Sequence, residues 1–74
     1  MRKHPTLIRF GEIVKIHRKA NNLSQEELAA AVGLHRTYIG MIERGEKNIT
    51  LLNMIKICRS FNLTISELLK ELDG

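Results

Sequence analysis

The sequence predicts an all-α domain of five helices, and three observations lead to this prediction. Apolar residues recur at helical spacing through most of the chain, and no stretch alternates apolar and polar residues over the length of a strand. The Ser/Thr-x-x-Glu pattern that caps a helix occurs at Ser24 and at Thr64. The one proline is residue 5, so no predicted helix is broken by proline. The length of 74 residues suits a single domain, predicted over residues 1–74.

The first predicted helix spans residues 6–20. One face of it follows the i, i+3, i+4, i+7 pattern of a packed helix through Phe10, Ile13, Val14 and His17. Pro5 precedes this helix, and two asparagines at residues 21–22 close it. The helix is therefore expected to place one apolar face against a core.

Two short helices follow, at residues 24–32 and 35–44, with a tight turn between them. Ser24 and Glu27 form a capping box, and Gly33 ends the first of the two because glycine adopts a left-handed backbone without steric cost. Helices this close along the chain cross steeply, which leaves one face of the second helix exposed. Residues 24–44 thus have the organisation of a helix-turn-helix, in which the exposed second helix enters the major groove of DNA.

The last two predicted helices, within residues 50–72, carry more apolar residues than one stripe facing a small core requires. Thr50 is the expected N-cap of the fourth helix, which extends to about Phe61. We expect these helices to form a homodimer, with an interface that contains Leu52, Ile55, Phe61, Ile65, Leu68 and Leu69. The alternative is a monomer in which the fourth helix is the central core helix.

The charge is modestly basic and unevenly distributed. The net charge is +4, and eleven of the twelve Lys and Arg residues lie in residues 1–60, together with the helix-turn-helix. A basic surface suits a polyanionic partner such as double-stranded DNA.

Several other classes of protein are not expected. The single cysteine, Cys58, lies among apolar residues and is predicted to be a buried structural thiol. The histidines at 4, 17 and 35 lack partners, and no nucleophile, phosphate loop or zinc spacing accompanies them. An enzyme is therefore not expected, and neither is a metal, a cofactor or a small-molecule ligand. No apolar run reaches the roughly 18 residues of a membrane span, and no signal peptide is recognisable, so a cytoplasmic location is expected.

The sequence resembles the phage-repressor and Cro-like helix-turn-helix family, also called the XRE family, over about residues 9–72. The most specific part of the resemblance is the pattern SQEELA…VGL…YI…IERG. Within that family, residues 35–39, 42–44 and 48–50 are most similar to restriction–modification controller proteins. The resemblance implies a lambda repressor-like fold and a small dimeric transcription regulator that binds an inverted-repeat operator. It departs from the general repressor pattern at Gly40, where serine is frequent, and at Ile49, where proline is frequent.

The resemblance and the side-chain chemistry indicate the same DNA-contacting residues. Base edges are expected to be read by Arg36, Thr37 and Tyr38, of which Arg36 has the planar donor fork that matches guanine O6 and N7. The DNA backbone is expected to contact Gln25, His35, Arg44, Lys47 and Asn48. For His35, a helix-capping or merely exposed role is an equal alternative to phosphate contact.

Arg18 and Glu43 are assigned a structural role. Similar repressors pair an arginine of the first helix with the glutamate that ends the third, and both positions match here. The resemblance therefore implies a partly buried, bidentate salt bridge that orients the recognition helix. The main alternative function is an antitoxin-like or other protein-interaction module on the same fold. RNA binding is less favoured because the A-form major groove does not admit a helix.

Overall fold

A computed structural model describes residues 3–73, which form five helices and no β-strand. The helices are α1 (Pro5–Ala20), α2 (Gln25–Val32), α3 (Arg36–Glu43), α4 (Leu51–Ser60) and α5 (Ile65–Asp73). The all-α fold class is thus confirmed, and each predicted helix boundary lies within one residue of the observed one. The predicted domain of residues 1–74 also includes residues 1, 2 and 74, which lie outside the described part. Within residues 3–73, every helix is too short or too polar to cross a membrane.

Side-chain caps begin the helices where the sequence patterns indicate. The Ser24 hydroxyl accepts a hydrogen bond from the Glu27 N–H at 3.0 Å, and the Ser24 N–H donates to Glu27 Oε1 at 2.9 Å. Thr64 and Glu67 make the same reciprocal pair at the start of α5, and Thr50 caps α4. These bonds lower the pKa of both glutamates because the backbone N–H and the hydroxyl interact with the ionised carboxylate. Both capping boxes predicted from the sequence are confirmed.

The turn between α2 and α3 depends on Gly33, which has φ +72° at the C-cap of α2. A residue with a Cβ is strained in that left-handed conformation. Since only Leu34 and His35 then separate Gly33 from α3, the chain reverses within a few residues and α3 packs against both α2 and α1.

The core lies between these helices and the C-terminal pair, with α4 packed on α2 and α5 packed on α1 and α4. Its buried apolar side chains are Phe10, Ile13, Val14, Leu28, Ala29, Val32, Ile39, Ile42, Ile57, Cys58, Phe61 and Leu68. Cys58 is only 2% exposed, and burial raises the pKa of its thiol. The prediction of a buried structural thiol is therefore confirmed.

The contact between α1 and α3 is very close at Gly11. A Cβ atom at this position would overlap the carbonyl oxygen of Ile42 and lie 2.6 Å from that of Glu43. Because no larger residue fits, Gly11 allows the backbone of α1 to touch the end of α3.

His17 has a partner that the sequence analysis did not find. Its Nε2 lies 2.8 and 3.0 Å from the two carboxylate oxygens of Glu71, and its ring stacks on Phe61 with centroids 5.7 Å apart. The expectation that the histidines lack partners is therefore wrong for His17. The contact was missed because 54 residues separate the pair along the chain, so no local spacing pattern connects them. Its effect is to attach α5 to α1.

Six residues were predicted to lie in a dimer interface, and the prediction is wrong for two of them because they are buried in the core. Phe61 is 6% exposed and Leu68 is fully buried within the protomer, where a partner chain cannot contact them. Both became candidates because the apolar pattern of a helix does not distinguish its core-facing side from an uncovered one. By contrast, Leu52 is 71% and Leu69 40% exposed, whereas Ile55 and Ile65 are half-buried. Leu51, 62% exposed, was not among the predicted interface residues.

Candidate nucleic-acid interface

The exposed side of α3 brings together Arg36 and Thr37, two of the three residues predicted to read bases. Ile39 and Ile42 are buried on the inner side of this helix, and this burial leaves Arg36 and Thr37 exposed at its first turn. The first turn of a recognition helix is the part that approaches base edges. The structure therefore presents Arg36 and Thr37 in the position expected of base-reading residues.

Arg36 lies next to an acidic residue of α2. Its Nη1 is 3.4 Å from Glu26 Oε2, and the two side chains are 67% and 76% exposed. Such a solvated, single-contact ion pair contributes little to stability. The guanidinium can consequently exchange this carboxylate for another acceptor at small cost.

His35 caps α3. Its Nδ1 accepts a hydrogen bond from the Thr37 N–H at 3.0 Å, and its side chain is otherwise exposed. His35 therefore has the helix-capping role that was one of the alternatives considered for it. Contact with the DNA backbone remains a prediction.

Tyr38 is less accessible than its two neighbours. Its ring is half-buried and packs against the core, and its hydroxyl accepts a 3.4 Å hydrogen bond from the Asn53 side chain of α4. The sequence analysis predicted that Tyr38 reads bases together with Arg36 and Thr37, but part of its ring is covered, so less of its surface is available than theirs. Sequence reasoning also missed Asn53, which no motif connects to α3.

A buried polar network connects α1, α2 and α3. Arg18 donates from Nε to Glu43 Oε2 at 2.6 Å and from Nη2 to Glu43 Oε1 at 3.1 Å, with side chains 10% and 3% exposed. The third guanidinium nitrogen, Nη1, donates to the carbonyl oxygen of Leu23 at 2.8 Å. Glu43 Oε1 also accepts a 3.0 Å hydrogen bond from Gln25 Nε2. The network therefore fixes the end of α3 and the Gln25 side chain in one unit.

The Gln25 contact adds to the role predicted for this residue. Gln25 is the first residue of α2, where backbone N–H groups and the helix dipole favour an anion. Since its amide is already hydrogen-bonded to Glu43, Gln25 has a defined orientation beside α3. The sequence indicated the position of Gln25 but not this partner on α3.

Arg44, the C-cap of α3, is held by Glu46. Arg44 Nε and Nη2 donate to the two carboxylate oxygens of Glu46 at 2.9 and 3.3 Å, and Lys3 Nζ lies 3.7 Å from the same carboxylate. The hydrogen bond and charge of this pair lower the pKa of Glu46 and raise that of Arg44. Lys47 and Asn48 follow as exposed residues. Sequence reasoning missed the acidic partner, although its position two residues after Arg44 was a usable signal.

These features define a helix-turn-helix protein, and the comparison with known families agrees. The helix-turn-helix family model matches residues 14–68, which is most of the chain. The chain therefore belongs to the helix-turn-helix family, and the proteins it is similar to include restriction–modification control proteins.

Three of these relatives illustrate the similarity. Control protein C.SmaI of Serratia marcescens is 50% identical over 60 residues, which are 81% of this chain and 71% of that protein. Control protein C.MunI of Mycoplasma sp is 40% identical over 67 residues, which are 89% and 90% of the two chains. The crystal structure of the restriction-modification controller protein C.AhdI from Aeromonas hydrophila matches with a TM-score of 0.84 and 38% identity, over 88% of this chain and 98% of that one. The resemblance stated from the sequence is thus confirmed.

Proposed function

We propose that this protein is a sequence-specific DNA-binding transcription regulator that serves as the controller of a restriction–modification system. The observation that carries the proposal is the exposed first turn of α3, with Arg36 and Thr37, on a helix whose other end is held by the buried Arg18–Glu43 pair. The similarity to control proteins supports the particular role. In this proposal the protein acts in the cytoplasm without enzymatic activity and without a cofactor.

Base readout depends on the first turn of α3. Arg36 would leave Glu26 and donate two hydrogen bonds to guanine O6 and N7 in the major groove. Thr37 offers a hydroxyl to a base and a methyl group to thymine. Tyr38 contributes its uncovered ring edge and a hydroxyl whose direction is restrained by Asn53. Discrimination between sequences is therefore assigned mainly to Arg36.

Backbone contacts set the position of α3 on the duplex. Gln25 at the start of α2 would bind a phosphate on one side of α3, and Lys47 and Asn48 would bind the backbone on the other. Contacts of this kind determine register and affinity but carry no sequence information. The basic and amide side chains around α3 thus supply binding that is common to all DNA sequences.

The Arg36 prediction separates these two kinds of contact. Arg36→Ala is expected to weaken binding to the preferred site by about 1–3 kcal/mol and to relax the preference at one base pair of each half-site. The measurement is selection of binding sites from a random duplex library, with the mutant beside the wild type. Lys47→Ala is the matched control, because it should weaken preferred and random DNA by similar factors. Equal weakening of all sequences by Arg36→Ala would instead make Arg36 a phosphate ligand.

The dimer belongs to the same proposal. Leu51, Leu52 and Leu69 expose apolar surface on the two C-terminal helices, and Ile55 and Ile65 lie half-buried on these same helices. A second copy that covers this surface would place two recognition helices on one side of the duplex. Such a dimer prefers inverted half-sites about one helical turn, roughly 10 bp, apart.

Leu52→Glu tests the dimer. A carboxylate there would be desolvated in the interface, so the variant is expected to be monomeric at concentrations at which the wild type is dimeric. Sedimentation equilibrium measures the monomer–dimer state of the variant. Its affinity for an inverted repeat should fall as the dimer is lost. Ile16→Glu is the matched control, since Ile16 is 60% exposed and lies on α1, outside the two helices that carry the proposed interface. Dimerisation that survives Leu52→Glu would argue against this surface.

A further inference from the structure

Both arginines at the ends of α3 are bound to carboxylates of this same chain. Arg36 has the single, highly exposed contact with Glu26, whereas Arg44 has two contacts with Glu46. The Arg44–Glu46 pair is the better formed of the two. It involves the residue expected to contact the DNA backbone at the C-terminal end of α3.

The bonds to Glu46 occupy one of the two paired donor edges with which Arg44 can bind a phosphate. A guanidinium binds carboxylate and phosphate through the same fork of N–H donors, and a paired contact uses two of them side by side. In this structure Nε and Nη2 both donate to Glu46. A glutamate is ionised at neutral pH, and contact with Arg44 lowers the pKa of Glu46 further, so this competitor is charged. A phosphate can therefore take this edge of Arg44 only by displacing Glu46.

We propose that Glu46 is an intramolecular competitor of DNA that lowers the affinity of Arg44 for the phosphate backbone. This inference rests on the proposed function, since it concerns the same surface. Because phosphate contacts carry no sequence information, Glu46 weakens binding to all duplexes, including the preferred site. The residue thereby limits how much of the protein is held on unrelated DNA.

The test is Glu46→Gln, measured by fluorescence anisotropy on a random-sequence duplex and on the preferred site at one fixed salt concentration. The substitution keeps the side-chain shape but removes the negative charge and one of the two acceptor oxygens that bind the Arg44 fork. It is expected to tighten binding to both duplexes by about 1.4- to fivefold, which corresponds to the free energies measured for exposed ion pairs. Circular dichroism checks that the variant remains folded.

Two controls separate the removal of a competitor from the simple gain of positive charge. Glu12→Gln makes the same charge change at an exposed site on α1 and should tighten binding less. Glu46→Gln in an Arg44→Ala background should give almost no gain, because the arginine it would release is absent. A gain that persists without Arg44 overturns the inference, and then general electrostatics or the contact with Lys3 explains the effect.

The remaining outcomes are also decisive. Unchanged affinity in Glu46→Gln means that the pair does not compete with DNA, and weaker binding means that Glu46 positions Arg44 for its contact. Either result overturns the inference while the wild type still binds DNA. If the wild type binds neither duplex, the proposed function itself is wrong.

Discussion

Glu43→Ala is expected to lower the free energy of unfolding by about 3–5 kcal/mol, the range for removing one partner of a buried ion pair. The reason is that Arg18, whose side chain is 10% exposed, keeps its charge but loses both contacts to the carboxylate. Gln25 loses a hydrogen-bond acceptor as well. Urea denaturation measures the change. DNA binding should weaken only as an indirect consequence, through the altered position of α3.

A second variant tests whether the cost arises from the unpaired charge. Arg18→Met combined with Glu43→Ala removes both charges, and it should be less destabilised than the sum of the two single variants. Glu12→Ala is the control for loss of an exposed glutamate and should change stability by at most about 0.5 kcal/mol. If Glu43→Ala changed the free energy of unfolding as little as Glu12→Ala, the polar network around Glu43 would not hold α3 in its orientation.

Gly11→Ala is expected to destabilise the fold by about 3 kcal/mol, at the upper end of the range for overpacking. The added Cβ would overlap the carbonyl oxygen of Ile42 and lie 2.6 Å from that of Glu43, so α1 and α3 would have to separate. Both obstructing atoms belong to the backbone of a packed helix and cannot rotate away. Thermal or urea unfolding of the variant measures the loss.

Gly40→Ala is the matched control for this prediction. Gly40 is also inside a helix, but the nearest atom to its added Cβ is Arg44 Nη1 at 3.1 Å, the end of a flexible side chain that can move. Alanine is favoured over glycine in helices by roughly 0.5–1 kcal/mol, so this variant should be slightly stabilised. We therefore expect Gly11→Ala to lower the free energy of unfolding and Gly40→Ala to raise it. Equal changes in the two variants would contradict the close contact at Gly11.

Local sequence patterns were sufficient to predict where the helices begin and end. The capping boxes at Ser24 and Thr64 and the turn at Gly33 act within three or four residues, so their hydrogen bonds and backbone angles are encoded in short stretches of sequence. The position of Arg36 at the start of α3 followed from the same signals. The most specific part of the candidate interface was therefore predicted from the sequence.

The spacing of apolar residues was less informative about which of them face the core and which remain exposed. It identified α4 and α5 as rich in apolar residues, but it could not separate buried Leu68 from exposed Leu69, which are adjacent in the sequence. The side of a helix that meets the core depends on how neighbouring helices pack. For this reason the sequence placed the apolar residues on α4 and α5 but could not decide which of them the core covers.

The sequence by itself determined the five helices, the tight turn between α2 and α3 and the family, because all of these depend on short-range patterns. The family resemblance already implied the Arg18–Glu43 pair, but only the tertiary structure decided that Glu43 also accepts a hydrogen bond from Gln25, that Glu71 binds His17 and that the end of α3 packs against Gly11. These contacts join residues 18 to 54 positions apart along the chain. Distances of this kind are set by the packing of whole helices, and no local spacing in the chain specifies them.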